Sequence, residues 1–283
     1  MVLESILRGQ FALKHPAALL LFAVVITTAS MGVSLITFPE YASVLSIAFI
    51  TIGSIPIFFR LFAHEERVEA LKPRNPATFL GRHFHIVKAF SFFFIGVVIT
   101  FAFWYQNLPM DYQGDVFKEQ EKNWLRIISL SGQAPGVGIV ESCQNALQEK
   151  NFAELAFSCI FANNAIVLAW SLLLSFFYGA GAIFLIAWNA SVIGLVIGKE
   201  IELNGLVSGF LRAVGLLPHG MPEIVSYFIG AIAGGIVSAA IAKKSFLKKE
   251  FETVALDVLA MVIIAYVVLL AAALIEAYLL LSP

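Results

Sequence analysis

The chain has 283 residues, of which 60% are hydrophobic and only 13% charged, with 26 phenylalanines and a formal net charge of −1. A soluble domain needs a far more polar surface, so the composition excludes one and points to a membrane protein. The net charge gives no reason to expect nucleic acid as a partner; what matters is where each sign falls along the chain.

Residues 1–16 form a short amphipathic head carrying Arg8 and Lys14. The apolar run that follows is too long for a cleavable signal and reads as a signal anchor. It is the first span, 17–38, and Pro39-Glu40 turns the chain. The second span, 41–63, contains Pro56, expected to kink it, and ends with Arg60 placed to snorkel. Residues 64–88 read as a basic loop, and 89–105 as the third span, with Trp104 and Tyr105 in the interfacial aromatic belt. The only sizeable polar insertion is 106–153, where Val116, Phe117, Trp124, Leu125, Ile127, Ile128 and Leu130 predict an amphipathic helix lying on the membrane.

From 152 to 197 the chain is apolar with no charge but Glu154, so it is either one very long helix or a hairpin of two spans. Gly179-Ala180-Gly181 offers the turn, and charge decides. Lys243, Lys244, Lys248 and Lys249 follow the next span, and a hairpin puts them on the side of Arg8, Lys14 and the 64–88 loop, as the retention of positive charge inside requires. Spans four to seven are then 154–178, 181–199, 222–242 and about 254–281. Residues 200–220, punctuated by Gly205, Gly209 and Gly215, form a re-entrant or interfacial segment. The fold class is an all-α polytopic bundle of about seven spans (six possible), forming one transmembrane domain over 1–283. The amino terminus is expected inside and the carboxyl terminus outside the cell membrane, with 12 of the 18 lysines and arginines inside.

On this topology Asn163, Asn164, Asn189, His219, Glu223 and Glu276 fall mostly at similar depth in the outer half. A carboxyl group near hydrocarbon is costly and seeks a donor, so these residues are expected to converge on a polar pocket beneath the 106–153 insertion, able to bind a headgroup or a partner's side chain. Each alone has a plainer role: asparagines glue helices together for about 0.6 kcal/mol, and Glu223, just after Pro222, fits a helix start. Ser226, Gly230, Gly234 and Ser238 lie four apart and make a small-residue face, as do Ala190, Gly194 and Gly198; close packing within the chain or a homodimer face would use them. His219, Glu223 and Glu276 are too few for a zinc site, so neither a metal nor another cofactor is expected. No catalytic triad, zincin motif, Walker loop or dinucleotide fingerprint is present, so no enzyme is expected. Cys143 and Cys159 fall on the outer side, where a disulfide can form.

The Asn pair in Phe161-Ala162-Asn163-Asn164, the glycine-rich 179–194 stretch around Asn189, and Pro218-His219-Gly220-Met221-Pro222-Glu223 together resemble the stage II sporulation protein M family of membrane proteins, over roughly 150–283. Phe38-Pro39-Glu40-Tyr41-Ala42-Ser43 is similar to archaeal members. The resemblance implies a membrane anchor that, in the bacterial member naming the family, localises cell-wall hydrolases during engulfment; it assigns no catalytic residue. Two functions are carried forward. One is a non-catalytic scaffold for cell-envelope or membrane-remodelling machinery, with the lipid bilayer and other envelope or membrane proteins as partners. The other is a transporter or lipid-handling protein using the outer polar pocket.

Overall fold

A computed structural model describes residues 15–71, 79–130, 152–175, 180–215, 217–242, 244 and 251–281. Among them are nine α-helices, one short 3-10 helix and no strand. Seven of the helices are long and apolar enough to cross a membrane. Pro16 opens α1 (Pro16–Thr37) at its first turn, where a missing N–H costs nothing. Pro39 stops it, since the residue before a proline is driven out of the helical region. A 3-10 turn, Pro39–Tyr41, then feeds α2 (Ala42–Leu71).

Helix α2 runs on through Pro56, and α3 (Phe79–Asn107) starts well before the apolar run at Phe84. The described parts of the basic loop expected at 64–88, residues 64–71 and 79–88, are therefore helical, and 72–78 lie outside the described residues. Lys and Arg have good helix propensity, so charge marks where a span ends but not where its helix does. Helix α4 (Met110–Leu130) is the amphipathic helix of the insertion. Helices α5 (Phe152–Ser175) and α6 (Ala180–Asn204) are separate spans. A Cβ on Gly181 would sit 2.1 Å from that of Leu174, so the two helices part from a tight hairpin. The short helix α7 (Leu206–Gly215) follows Gly205, whose φ of +79° closes the end of α6 through an N–H···O bond to Ile201. Helices α8 (Leu217–Ala242) and α9 (Phe251–Leu281) complete the bundle.

In lipid the hydrophobic effect no longer drives helices together, so close packing must. The centre is aromatic: the Phe58 ring lies 4.6 Å from that of Phe90 and 4.9 Å from that of Phe93, and Phe228 of α8 stands edge-on to Phe94 at 5.3 Å. Trp104, expected in the aromatic belt, turns inward and donates to Thr28 Oγ1 at 3.1 Å. The small-residue faces are used within the chain. Gly230 and Gly234 meet Leu168, Leu172 and Ser175 of α5, and Gly194 meets Val98 and Phe101 of α3. Ser226 and Ser238 are buried on the same helix.

Polar joints gather at one end of the bundle. Ser43 at the start of α2 donates to Gln120 of α4 at 2.6 Å and accepts the Glu119 N–H, and the Gln120 amide returns a bond to the Ser43 carbonyl. Gln106 at the end of α3 donates to the Gly198 carbonyl of α6 at 2.6 Å. Gln113 satisfies the Tyr105 and Leu108 carbonyls that the end of α3 leaves open. Lys199 pairs with Glu121, and the apolar face of α4 buries Val116 and Phe117 against Phe101 and Tyr105. The start of α2 and the ends of α3 and α6 therefore share one end, with α4 laid across it.

Candidate functional site

Helix α8 is the inner member of a three-helix corner: 78% of its span is buried, against 17% for α5 and 28% for α9. It runs parallel to α5. Asn164 faces Glu223, Ser171 donates to the Tyr227 carbonyl, and Gly234 lies against Leu172 and Ser175. At the other end of α8, Gly235 lies against Phe62, near the distal end of the α2 span. The Glu223 end of α8 is thus the end that carries α4 and α7.

At that corner the Asn164 amide donates to Glu223 Oε1, and the Glu276 carboxyl of α9 lies beside that of Glu223. Asn163 donates to Asn164 Oδ1 at 3.0 Å, so four polar side chains from three helices gather in one cluster. Asn164 is 8% exposed, while Asn163 is exposed and the two glutamates are half-buried. The group therefore joins the three helices where two carboxyl groups meet.

Asn189 belongs to the next layer down. Its amide donates to Leu185 of its own helix at 2.7 Å, and it faces Ser171, Ile224, Tyr227 and Phe228 across a space too small for a water molecule. The expectation of one pocket thus resolves into an outer hydrogen-bonded group and a deeper, closed layer. His219 lies on α8 one turn before Glu223; its side chain is outside the described residues.

Helix α8 begins at Leu217, so Pro222 and Glu223 lie past its first turn, contrary to the helix start expected there. Pro218 takes the early position where a proline costs no bond, and Pro222 forgoes one helical bond. A carboxylate at the sixth or seventh helical position is beyond the first-turn reach of the dipole, so Glu223 draws its partners from α5 and α9. The insertion also differs from the expected cap. Its described part, α4, rests on α1, α2, α6 and the end of α3 rather than over this corner, because Phe117 and Gln120 find their partners there. The remainder, 131–151, is outside the described residues.

Tyr227 and Ser171 complete the site and were not singled out in the sequence. Tyr227 is 7% exposed and lies within electrostatic range of both carboxyl groups. Its place four residues after Glu223 puts both on one face of a helix, a spacing that could have found it. Among the described residues no group of three or more His, Cys, Asp and Glu side chains could hold a metal ion. Cys159 is disulfide-bonded, and the chain's other cysteine is Cys143, outside the described residues.

A family model described as Stage II sporulation protein M matches residues 89–279. The match takes in every residue of this corner and begins well before 150, where the motifs resembling the family begin. The Phe38–Ser43 motif lies outside it. No curated protein and no solved structure matches the chain.

Proposed function

Because the chain belongs to the stage II sporulation protein M family, we propose that this multi-pass membrane protein is a non-catalytic scaffold, recruiting envelope or membrane proteins to one end of its bundle. The observation that carries the reading is the fixing of α4. A 21-residue polar helix is held by the Ser43–Gln120 bonds, the Lys199–Glu121 pair and two buried apolar side chains. Ordering a binding surface in advance removes part of the entropy cost of association, and this one presents Asp111, Tyr112, Lys118 and Lys122 to solvent. A photo-crosslinker at Tyr112 or Lys118 is expected to give adducts of discrete protein mass in cells, while one at lipid-facing Val25 or Ile263 gives lipid adducts. Lipid adducts alone from all four positions would count against the scaffold; adducts of twice the chain's mass would name a second copy as the partner.

The α4 end is proposed to face outward in the cell membrane. Two features support this: Cys159, on the half of α5 nearer that end, is disulfide-bonded, which suits an oxidising compartment, and Lys244 follows the opposite end of α8, as positive charge retained inside would have it. With Cys143 and Cys159 replaced by serine, an impermeant thiol reagent is expected to label a cysteine at exposed Lys118 in intact cells and to spare one at exposed Lys244. Labelling at Lys244 alone inverts the topology.

The transporter or lipid-handling reading keeps one observation in its favour, the neighbouring glutamates within the spans of α8 and α9, since such groups mark ion and proton paths in membrane proteins. Flux of protons or sodium through the purified protein in sealed vesicles would decide for it.

A further inference from the structure

Helix α5 is the least buried of the seven described spans, with 17% of its span inside the protein. Its outward side carries Asn163, Ile166, Trp170 and Leu173, all exposed. The steps between them are three, four and three residues, so the four side chains form one narrow seam, in the a and d pattern by which two helices interlock. Ile166 and Leu173 sit as well against a lipid tail as against another helix. Asn163 does not.

Asn163 lies six residues inside a span that starts at Phe157, about 9 Å into it at 1.5 Å of rise per residue. An asparagine side chain is too short to reach water from there, whereas a lysine or arginine can snorkel. Among the described residues its one side-chain bond is the donation to Asn164 Oδ1 at 3.0 Å. A primary amide has two N–H donors and a carbonyl oxygen with two lone pairs, so one donor and the whole acceptor stay unmet. Lipid tails offer neither, and a polar group in hydrocarbon without a partner is costly. The small-residue faces of α8 and α6 are already filled, Gly230 and Gly234 by α5 and Gly194 by α3. The seam on α5 is left for a neighbour.

Symmetry says which neighbour meets the amide. Copies of one protein inserted with one topology stand parallel in the bilayer, and a two-fold axis along the membrane normal sets each residue of a central seam opposite its own counterpart. Few side chains satisfy themselves when like meets like. Asparagine does, because each amide N–H donates to the other's carbonyl oxygen, and a single asparagine at an a position fixes register in parallel helix pairs. We propose that the exposed face of α5 is where a second copy of this chain docks, the two Asn163 amides bonding to each other within the membrane while Ile166, Trp170 and Leu173 pack along the same seam. Through Asn164 the contact reaches Glu223, so pairing also steadies the corner between α5 and α8. The inference does not rest on the scaffold reading: the seam lies within a span and α4 lies across the end of the bundle, so either stands without the other.

The test uses the whole chain in its membrane, with the photo-reactive residue benzoylphenylalanine at Ile166 or Leu173 and, as controls, at Ile263 or Val267 on the exposed face of α9. Irradiation is expected to give adducts of twice the chain's mass from both α5 positions and from neither α9 position. Asn163→Leu is expected to raise the dissociation constant of the pair roughly tenfold, as the loss of two interhelical bonds implies, and Asn163→Gln to keep most of the affinity. Energy transfer between labelled copies at graded dilution in lipid reads both variants. Adducts only to lipid or within one chain at Ile166 and Leu173 overturn the proposal, as do adducts of another protein's mass, or twice-mass adducts formed as readily from α9. An affinity that Asn163→Leu leaves unchanged overturns it too. Ile166 and Leu173 are exposed and the crosslinked chain is otherwise unaltered, so the adducts decide the matter even where an Asn163 variant fails to fold.

Discussion

Gly234→Leu is expected to abolish the folded bundle, while Gly230→Ala is tolerated and Gly32→Ala is neutral or better. The ordering follows from what a new side chain meets. A Cβ at Gly234 lies 2.6 Å from the Leu172 carbonyl oxygen and 2.7 Å from the Ser175 Cβ, so the backbone of α5 must move. At Gly230 the obstacle is Leu168 Cδ1 at 2.5 Å, the far end of a side chain that can rotate away. At Gly32 nothing lies within 4 Å, and alanine there gains helix propensity of about 0.5–1 kcal/mol. Overpacking costs about 1–3 kcal/mol for a small insertion; a leucine forced against backbone exceeds that, since α5 is held to α8 mainly through this crossing. Thermal or denaturant unfolding in detergent reads the series. Equal tolerance at Gly230 and Gly234 would remove the close α5–α8 crossing and leave the stripe free to serve as a dimer face.

Most of the architecture was legible because membrane segments obey a length rule. Runs of about 20 apolar residues must be helices, and Lys243 to Lys249 fixed the parity of the crossings. That is why Gly179-Ala180-Gly181 could be read as a hairpin, and the structure has two separate spans there. What escaped were features set by tertiary partners. Pro222 suits a helix start by its own chemistry, yet α8 begins at Leu217 because Pro218 fills that role first. The amphipathic pattern of α4 announced a helix, but its place depended on Ser43, 77 positions from Gln120, as a hydrogen-bond partner. No local pattern carries that pairing.

The site shows the same division. The cost of a carboxyl group near hydrocarbon predicted that Glu223 and Glu276 would find donors, and Asn164 does meet Glu223. The same reasoning placed Asn189 with them, although it bonds to its own helix one layer deeper. An asparagine in a helix always has the i−4 carbonyl within reach, so its polarity alone does not commit it to a neighbouring helix. An ionised glutamate only accepts and has no proton to give that carbonyl, so it must look across for a donor.

Asn164→Leu is the substitution whose size distinguishes a site from a joint. Leucine has the same branched, four-heavy-atom shape as asparagine, so the contact with α8 is largely kept and the main loss is the amide that donates to Glu223. An ordinary interhelical hydrogen bond in a membrane averages about 0.6 kcal/mol. Leaving a buried acceptor unsatisfied costs about 1–3 kcal/mol, and more when it is charged. The expected loss is at the upper end of that second range, because the other neighbour of Glu223 is Glu276, an acidic group that cannot offset a charge. Glu223→Gln is expected to be mild, since its amide can donate to Glu276 while its carbonyl accepts from Asn164. Combining Glu223→Leu with Asn164→Leu removes both partners of one bond, and the pair is expected to be less damaging than the sum of the singles by about 0.5–3 kcal/mol. Unfolding free energies in one detergent supply all four numbers. If Asn164→Leu costs no more than an average interhelical bond and the two leucine substitutions simply add, Asn164 is glue between α5 and α8 and the carboxyl pair keeps its state without it. A large, strongly coupled loss means that the amide is part of what makes two glutamates tolerable at this depth in the membrane.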